Sequence, residues 1–217
     1  MTHACIFDMD GVLIDSGAHH RNAWRALLAE LGVTPVPPEF WRLTIGRPAE
    51  EAVPLLLGRH VSAAEARHLA LRKRDLYAGF AARGLQSVPG ARGFVQTLAR
   101  ASIPRAVGTS ASRADVEILL GDLGLRRYFD VIVTADDVRL GKPDPAVYLE
   151  AARRIGEPPA ACVVFEDSLV GVQAAQRAGM RAIGVTTAHT ADELRAAGAE
   201  TAIPDFQGLE WSAVARA

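Results

Sequence analysis

One short apolar run, Ala4-Cys-Ile-Phe7, stands near the head of the chain, separated by a long stretch of helical pattern from every other segment that reads as a strand. A buried parallel strand needs neighbours, because its backbone groups cannot be left unpaired away from water. Those neighbours come only after Val88-Pro89-Gly90. From there strand patterns near 104–109, 130–134, 161–165, 181–186 and 201–203 alternate with helix patterns at roughly 92–101, 112–123, 145–155, 169–178, 190–197 and 207–215. Such alternation argues for a parallel sheet with helical crossovers. The first strand must join that sheet, so the residues between are an insertion. The expected fold is an α/β, doubly wound parallel-sheet (Rossmann-like) core of residues 1–15 and 88–217 with an inserted all-α domain at 16–87.

Within the insertion, Ala23, Trp24, Leu27, Leu28 and Leu31 recur at three- and four-residue spacing before Gly32, a plausible C-cap. Further helices are expected at roughly 50–58 and 62–82. The basic run Arg72-Lys73-Arg74 reads as a solvated helix face, since no aromatic residues interleave it as a nucleic-acid surface would require. A formal net charge of -1 gives no field that would recruit nucleic acid or an anionic membrane. No apolar run approaches the roughly 18 residues that cross a bilayer. Cys5 and Cys162 each sit in an apolar run and form no CxxC pair, so both read as reduced core residues. The acidic pair Asp8 and Asp10 comes too early to leave room for a secretory leader, and a cytoplasmic protein is expected.

In open parallel sheets ligands bind outside the carboxyl ends of the strands. The residues that follow each expected strand form a coherent set. Asp8 and Asp10 follow the first, Thr109 and Ser110 the second, Lys142 comes after a longer loop beyond the third, and Glu166 and Asp167 follow the fourth. Four carboxylates at one edge repel one another unless a divalent cation neutralises them, and hard oxygen ligands point to Mg2+. Ser110 and Lys142 supply donors for an anionic substrate, as phosphoryl transfer requires. Thr109 competes with Ser110 for that role, and either hydroxyl could instead cap the following helix.

The segments DMDGVLIDS at 8–16, TSAS at 109–112, GKPDP at 141–145 and FEDS at 165–168 strongly resemble the four motifs of the haloacid dehalogenase superfamily. The resemblance spans nearly the whole chain, and the helical insertion looks like the small cap of the subgroup containing β-phosphoglucomutase and many sugar-phosphate phosphatases. It implies Asp8 as nucleophile, Asp10 as acid/base, and Ser110 and Lys142 as phosphoryl ligands. It further implies a magnesium site of the Asp8 side chain, the Asp10 carbonyl, Asp167, and Glu166 directly or through water. His20 matches a cap-hinge histidine of the subgroup, expected to contact the leaving group or Asp10.

The insertion departs from the mutase pattern. Positions that would grip a second phosphate are Ile45, Ala49 and Tyr77, and only Arg47 could substitute. A weak second phosphate site favours hydrolysis of a small phosphomonoester, such as a sugar or polyol phosphate or phosphoglycolate, over a sugar phosphomutase. An acidic residue at Asp10 argues against dehalogenation, whose halide leaves without a proton. A non-enzymatic phospho-receiver would lack both that acid/base and the helical cap.

Overall fold

The computed structural model describes residues 3–33, 35–36, 40–82 and 84–216. The other positions of the expected core and insertion lie outside the described residues. The chain divides into two compact units, Met1–Asp15 with Gln86–Ala217 and Ser16–Leu85.

Among the described residues six strands form one sheet: β1 (Ala4–Phe7), β2 (Arg105–Gly108), β3 (Val131–Val133), β4 (Cys162–Glu166), β5 (Arg181–Val185) and β6 (Thr201–Ile203). The smaller unit holds helices α1 (Gly17–Glu30), α2 (Ala49–Leu57) and α3 (Ala63–Ala81). The larger holds α4 (Ala91–Arg100), α5 (Arg113–Asp122), α6 (Ala146–Ile155), α7 (Leu169–Arg177), α8 (Ala191–Ala196) and α9 (Trp211–Arg216).

The strands run in the order β3-β2-β1-β4-β5-β6, all parallel. β1 is central, with Ile6 opposite Ala106 on one side and Val164 on the other. All four of its residues are buried, which explains why it reads as a continuous apolar run rather than an alternating one. On one face Phe7 stacks on Phe165 at 5.1 Å between centroids, with Phe94 and Phe129 edge-on. On the other, Ala4 and Ile6 join a cluster with Val147 and Ala151 of α6, Val172 of α7 and Leu194 of α8. The chain order reverses between β1 and β4, so the crevice that such a reversal creates opens where those two strands end.

The helix expected at 207–215 starts later, at Trp211. Gly208 is left-handed, at φ +70°, and Leu209 N–H donates to the Phe206 carbonyl at 3.2 Å, so a turn occupies the first positions. Both cysteines are buried and free. Burial pushes both thiols up, Cys162 to about 11.

In the smaller unit Trp24, Leu27 and Leu28 of α1 pack with Ala52 and Val53 of α2, Leu69 of α3 and Phe40, which lies in a 3-10 turn over Phe40–Leu43 that no sequence signal marked.

Asp137 ties the β3 edge together. It accepts from the Thr134 N–H and hydroxyl, both at 2.8 Å, from Arg113 of α5 at 2.6 Å and from Arg154 of α6 at 2.9 Å. Burial opposes its charge, yet these donors hold its carboxyl down to about 2. A depressed folded pKa contributes stability that is complete above the unfolded value, about 4, and is lost as the pH falls through about 2. Asp137→Asn is expected to cost about 2 kcal/mol at pH 7 and less at pH 3, read from urea unfolding at both pH values.

Candidate active site

Asp8 continues the β1 ladder, its N–H donating to the Phe165 carbonyl at 3.0 Å, and its side chain is buried at the sheet edge. The chain then turns sharply. Gly11 adopts φ +74°, and a Cβ there would lie 1.9 Å from Asp167 Oδ2. Only glycine fits both the left-handed backbone and this approach, which brings the Asp10-Gly11 turn against the end of β4. Asp10 itself is half-buried.

After β2, the Thr109 N–H donates to the Val133 carbonyl at 3.0 Å, and its hydroxyl oxygen accepts from Ala111 N–H at 3.1 Å. Thr109 is therefore engaged in shaping the turn, while Ser110 beside it is half-buried. Neither caps the next helix: Ser112 does, accepting from Asp115 N–H at 3.3 Å.

Lys142 is the pivot. Its ammonium is 1% exposed and lies 2.8 Å from Asp8 Oδ1 and 2.6 Å from Glu166 Oε1. The Tyr148 ring lies beneath it, 4.8 Å from Nζ to the centroid. Glu166 accepts further bonds from the Tyr148 hydroxyl at 2.8 Å and from the Ser168 N–H and hydroxyl, both at 2.8 Å. Both its oxygens are thus occupied by protein donors. Ser168 also caps α7, its hydroxyl accepting from Gly171 N–H at 3.0 Å. A Cβ on Gly171 would fall 1.8 Å from Glu166 Oε1, so that glycine makes room for the carboxylate.

Asp8, Glu166 and Asp167 offer carboxylate oxygens within 4.8 Å of one another. Their charges are not equivalent. Burial pushes Asp8 up to about 7; Lys142 opposes this, and Glu166 and Asp10 add to it. Burial and the neighbouring carboxylates push Asp167 well up. Glu166 is driven down despite its burial, because Lys142, Ser168 and Tyr148 all favour its charged form. Burial works against the charge of Lys142, but Asp8 and Glu166 outweigh it and raise its pKa. The ammonium is fixed, Glu166 is its counterion, and Asp8 and Asp167 are carboxyls whose ionisation a cation would favour.

Asp8, Lys142, Glu166 and Asp167 thus meet directly, with Asp10, Thr109 and Ser110 in turns at the same sheet edge. His20 and Arg47 belong to the helical unit. There His20 Nδ1 lies 2.6 Å from Lys73 Nζ, and its ring stacks on Tyr77 at 4.2 Å. An ammonium only donates, which makes Nδ1 the acceptor. Lys73 was expected to be solvated with its basic neighbours; instead it is 8% exposed. Ala66, Leu69, Lys73 and Tyr77 share the buried stripe of α3, and the Trp24 and Tyr77 rings lie 5.4 and 5.1 Å from the ammonium. Arg47 is half-buried in a turn where its N–H donates to the Thr44 carbonyl at 3.3 Å, and its guanidinium partly offsets the upward push of burial on Glu51.

Sequence reasoning missed Tyr148, Gly171, Thr187 and His189. Tyr148 looks like an ordinary core residue of α6; its one signal is a position three residues after the motif proline Pro145. Thr187 and His189 follow β5, a strand end from which no candidates were drawn, although the sheet-edge rule applies to it equally.

A family model described as haloacid dehalogenase-like hydrolase matches residues 2–179. A validoxylamine A 7'-phosphate phosphatase of Streptomyces hygroscopicus subsp. limoneus is 36% identical over 215 residues, 97% of each chain. A fructose-1-phosphate phosphatase of Escherichia coli is 36% identical over 83% of this chain and 94% of its own. The crystal structure of a family IA, variant 3 hydrolase from Entamoeba histolytica superposes with a TM-score of 0.89 at 27% identity, covering 99% of this chain and 98% of that one.

Raised carboxyl pKa values make divalent-cation binding release protons. The same shifts penalise the metal-free fold as the pH rises from about 4, levelling off for Asp8 above about 7. Affinity for a divalent cation at these carboxyls is expected to increase from pH 5.5 to 7.5, with proton release at pH 6.5 detected calorimetrically in buffers of different ionisation enthalpy.

Proposed function

The chain belongs to the haloacid dehalogenase-like hydrolases, and from that premise we propose that it is a magnesium-dependent phosphatase of small phosphomonoesters, working through an aspartyl-phosphate on Asp8. The observation that carries this reading is the buried Asp8 carboxyl held 2.8 Å from the Lys142 ammonium beside Glu166 and Asp167.

The donor set fits a hard divalent cation. We assign it to the Asp8 and Asp167 carboxylates and the Asp10 carbonyl. Glu166, whose oxygens already accept four hydrogen bonds, would take part through water. Bound there, magnesium would neutralise charge on the phosphoryl oxygens.

The chain's own groups do the rest. Asp8 attacks phosphorus as the bond to the leaving oxygen breaks, and Asp10 protonates that oxygen. Lys142 and Ser110 hold the phosphoryl oxygens, with Thr109 keeping the Ser110 turn in place. Water then attacks phosphorus, giving a proton back to Asp10, and the Asp8–phosphorus bond breaks to release phosphate. A nucleophile ionised at neutral pH beside a carboxyl that carries a proton is the division of labour this requires.

The helical unit is assigned substrate selection, with His20 and Arg47 as its carried-over residues. Two relatives whose names denote phosphatases, one of fructose 1-phosphate, support a sugar or polyol phosphate as substrate. A phosphate-release screen over such esters, run beside a bisphosphate-primed mutase assay, separates transfer to water from transfer to a sugar hydroxyl.

The two aspartates fail at different steps. Asp8→Asn should abolish turnover and phosphoenzyme together. Asp10→Asn should lose about 10²–10⁴-fold in rate on alkyl phosphates. With an aryl phosphate, whose leaving group needs little protonation, Asp10→Asn should still form phosphoenzyme and hydrolyse it slowly. Substantial activity in Asp8→Asn would contradict the assignment.

A further inference from the structure

We infer that Thr187 is a positioning residue of the metal site, acting as a clasp that holds the Asp10-Gly11 turn and the Asp167 carboxylate in register. The inference rests on the proposed metal-dependent chemistry and extends it to the end of β5. The Thr187 hydroxyl donates to the Gly11 carbonyl at 2.6 Å and lies 3.2 Å from Asp167 Oδ2. One side chain therefore touches both arms of the proposed cation site, the turn after β1 and the acid after β4.

The approach of those arms is unusually close. The space a Cβ would occupy on Gly11 is filled by Asp167 Oδ2 at 1.9 Å and Thr187 Oγ1 at 3.0 Å. Gly11 at φ +74° has no side chain with which to fix its own backbone. Something else must set the turn, and with it the direction of the Asp10 carbonyl. Its N–H donates to the Ile14 carbonyl at 2.7 Å, and its carbonyl is taken by Thr187.

The clasp is itself anchored on both sides. Thr186 N–H donates to the Ile203 carbonyl at the end of β6 at 2.9 Å. Thr190 caps α8 in a reciprocal box with Glu193. Between them, His189 Nδ1 donates to the Asp167 main-chain carbonyl at 2.9 Å, so this one loop holds Asp167 through its backbone as well as its side chain. Groups that orient metal ligands without touching the metal are worth 10–100-fold in affinity in characterised sites.

The test is direct Mn2+ binding to the whole protein, followed by electron paramagnetic resonance of free Mn2+, with thermal unfolding run in parallel. Thr187→Val keeps the shape and removes the hydroxyl; Thr187→Ala removes both; Thr187→Ser keeps the hydroxyl. Val and Ala are expected to weaken Mn2+ binding by about 10–100-fold while unfolding near the wild-type temperature, and Ser to stay within about threefold of wild type. In turnover, the Val variant should need correspondingly more Mg2+ and recover most of its kcat at saturation. Wild-type Mn2+ affinity in a folded Val or Ala variant would overturn the inference, and so would loss of the fold in both, since the hydroxyl would then serve the fold and not the site. Wild-type protein that binds no Mn2+ would instead bring down the metal-dependent function on which the inference rests.

Discussion

A single buried ammonium organises the larger unit's functional edge. Lys142, held between Asp8 and Glu166, spans the ends of β1 and β4 through a charge and reaches them from the loop beyond β3. Burying it alone would be very unfavourable, as would burying either carboxylate alone. Together, with Tyr148 and Ser168 satisfying the remaining Glu166 positions, the group becomes tenable. The arrangement leaves Asp8 at a disadvantage for charge: it shares Lys142 with Glu166, whose carboxylate also accepts from Tyr148 and Ser168, and burial pushes the Asp8 carboxyl up to about 7.

The scaffold follows from that requirement. Parallel strands put all their carboxyl ends on one edge, and the order reversal between β1 and β4 sets Asp8 beside Glu166 and Asp167. Two glycines then allow approaches no other residue would: Gly11 beneath Asp167 and Gly171 beneath Glu166. Directly below the edge the Phe7 and Phe165 rings stack, packing side chains across the β1–β4 ladder that sets the spacing of the two strands carrying the acids.

Most of the larger unit was legible from residues alone, because a parallel strand buried on both faces leaves a signature in its apolar run and a chemical residue at its end. The runs at Ala4–Phe7 and 161–165 were of this kind, and so Asp8, Glu166 and Asp167 could be named. What escaped were residues whose type fits an ordinary role equally well. Tyr148 sits where a core residue of α6 belongs, and Thr187 lies in a loop with no pattern of its own. Lys73 was hidden by flanking arginines: three successive basic residues on a helix point in different directions, and only the stripe through Ala66, Leu69 and Tyr77 reveals which one turns inward. Ser112 was overlooked as a cap because the two hydroxyls before it were the more conspicuous candidates.

The central claim is that Asp8 takes the phosphoryl group before water does. Stereochemistry at phosphorus tests this without depending on how long an intermediate lasts. Two successive in-line displacements, first by Asp8 and then by water, return the original configuration, whereas a single attack by water inverts it. Hydrolysis of a phosphorothioate ester of known configuration, labelled with one heavy oxygen isotope and cleaved in water of another, is predicted to give inorganic thiophosphate with net retention; net inversion would contradict the account.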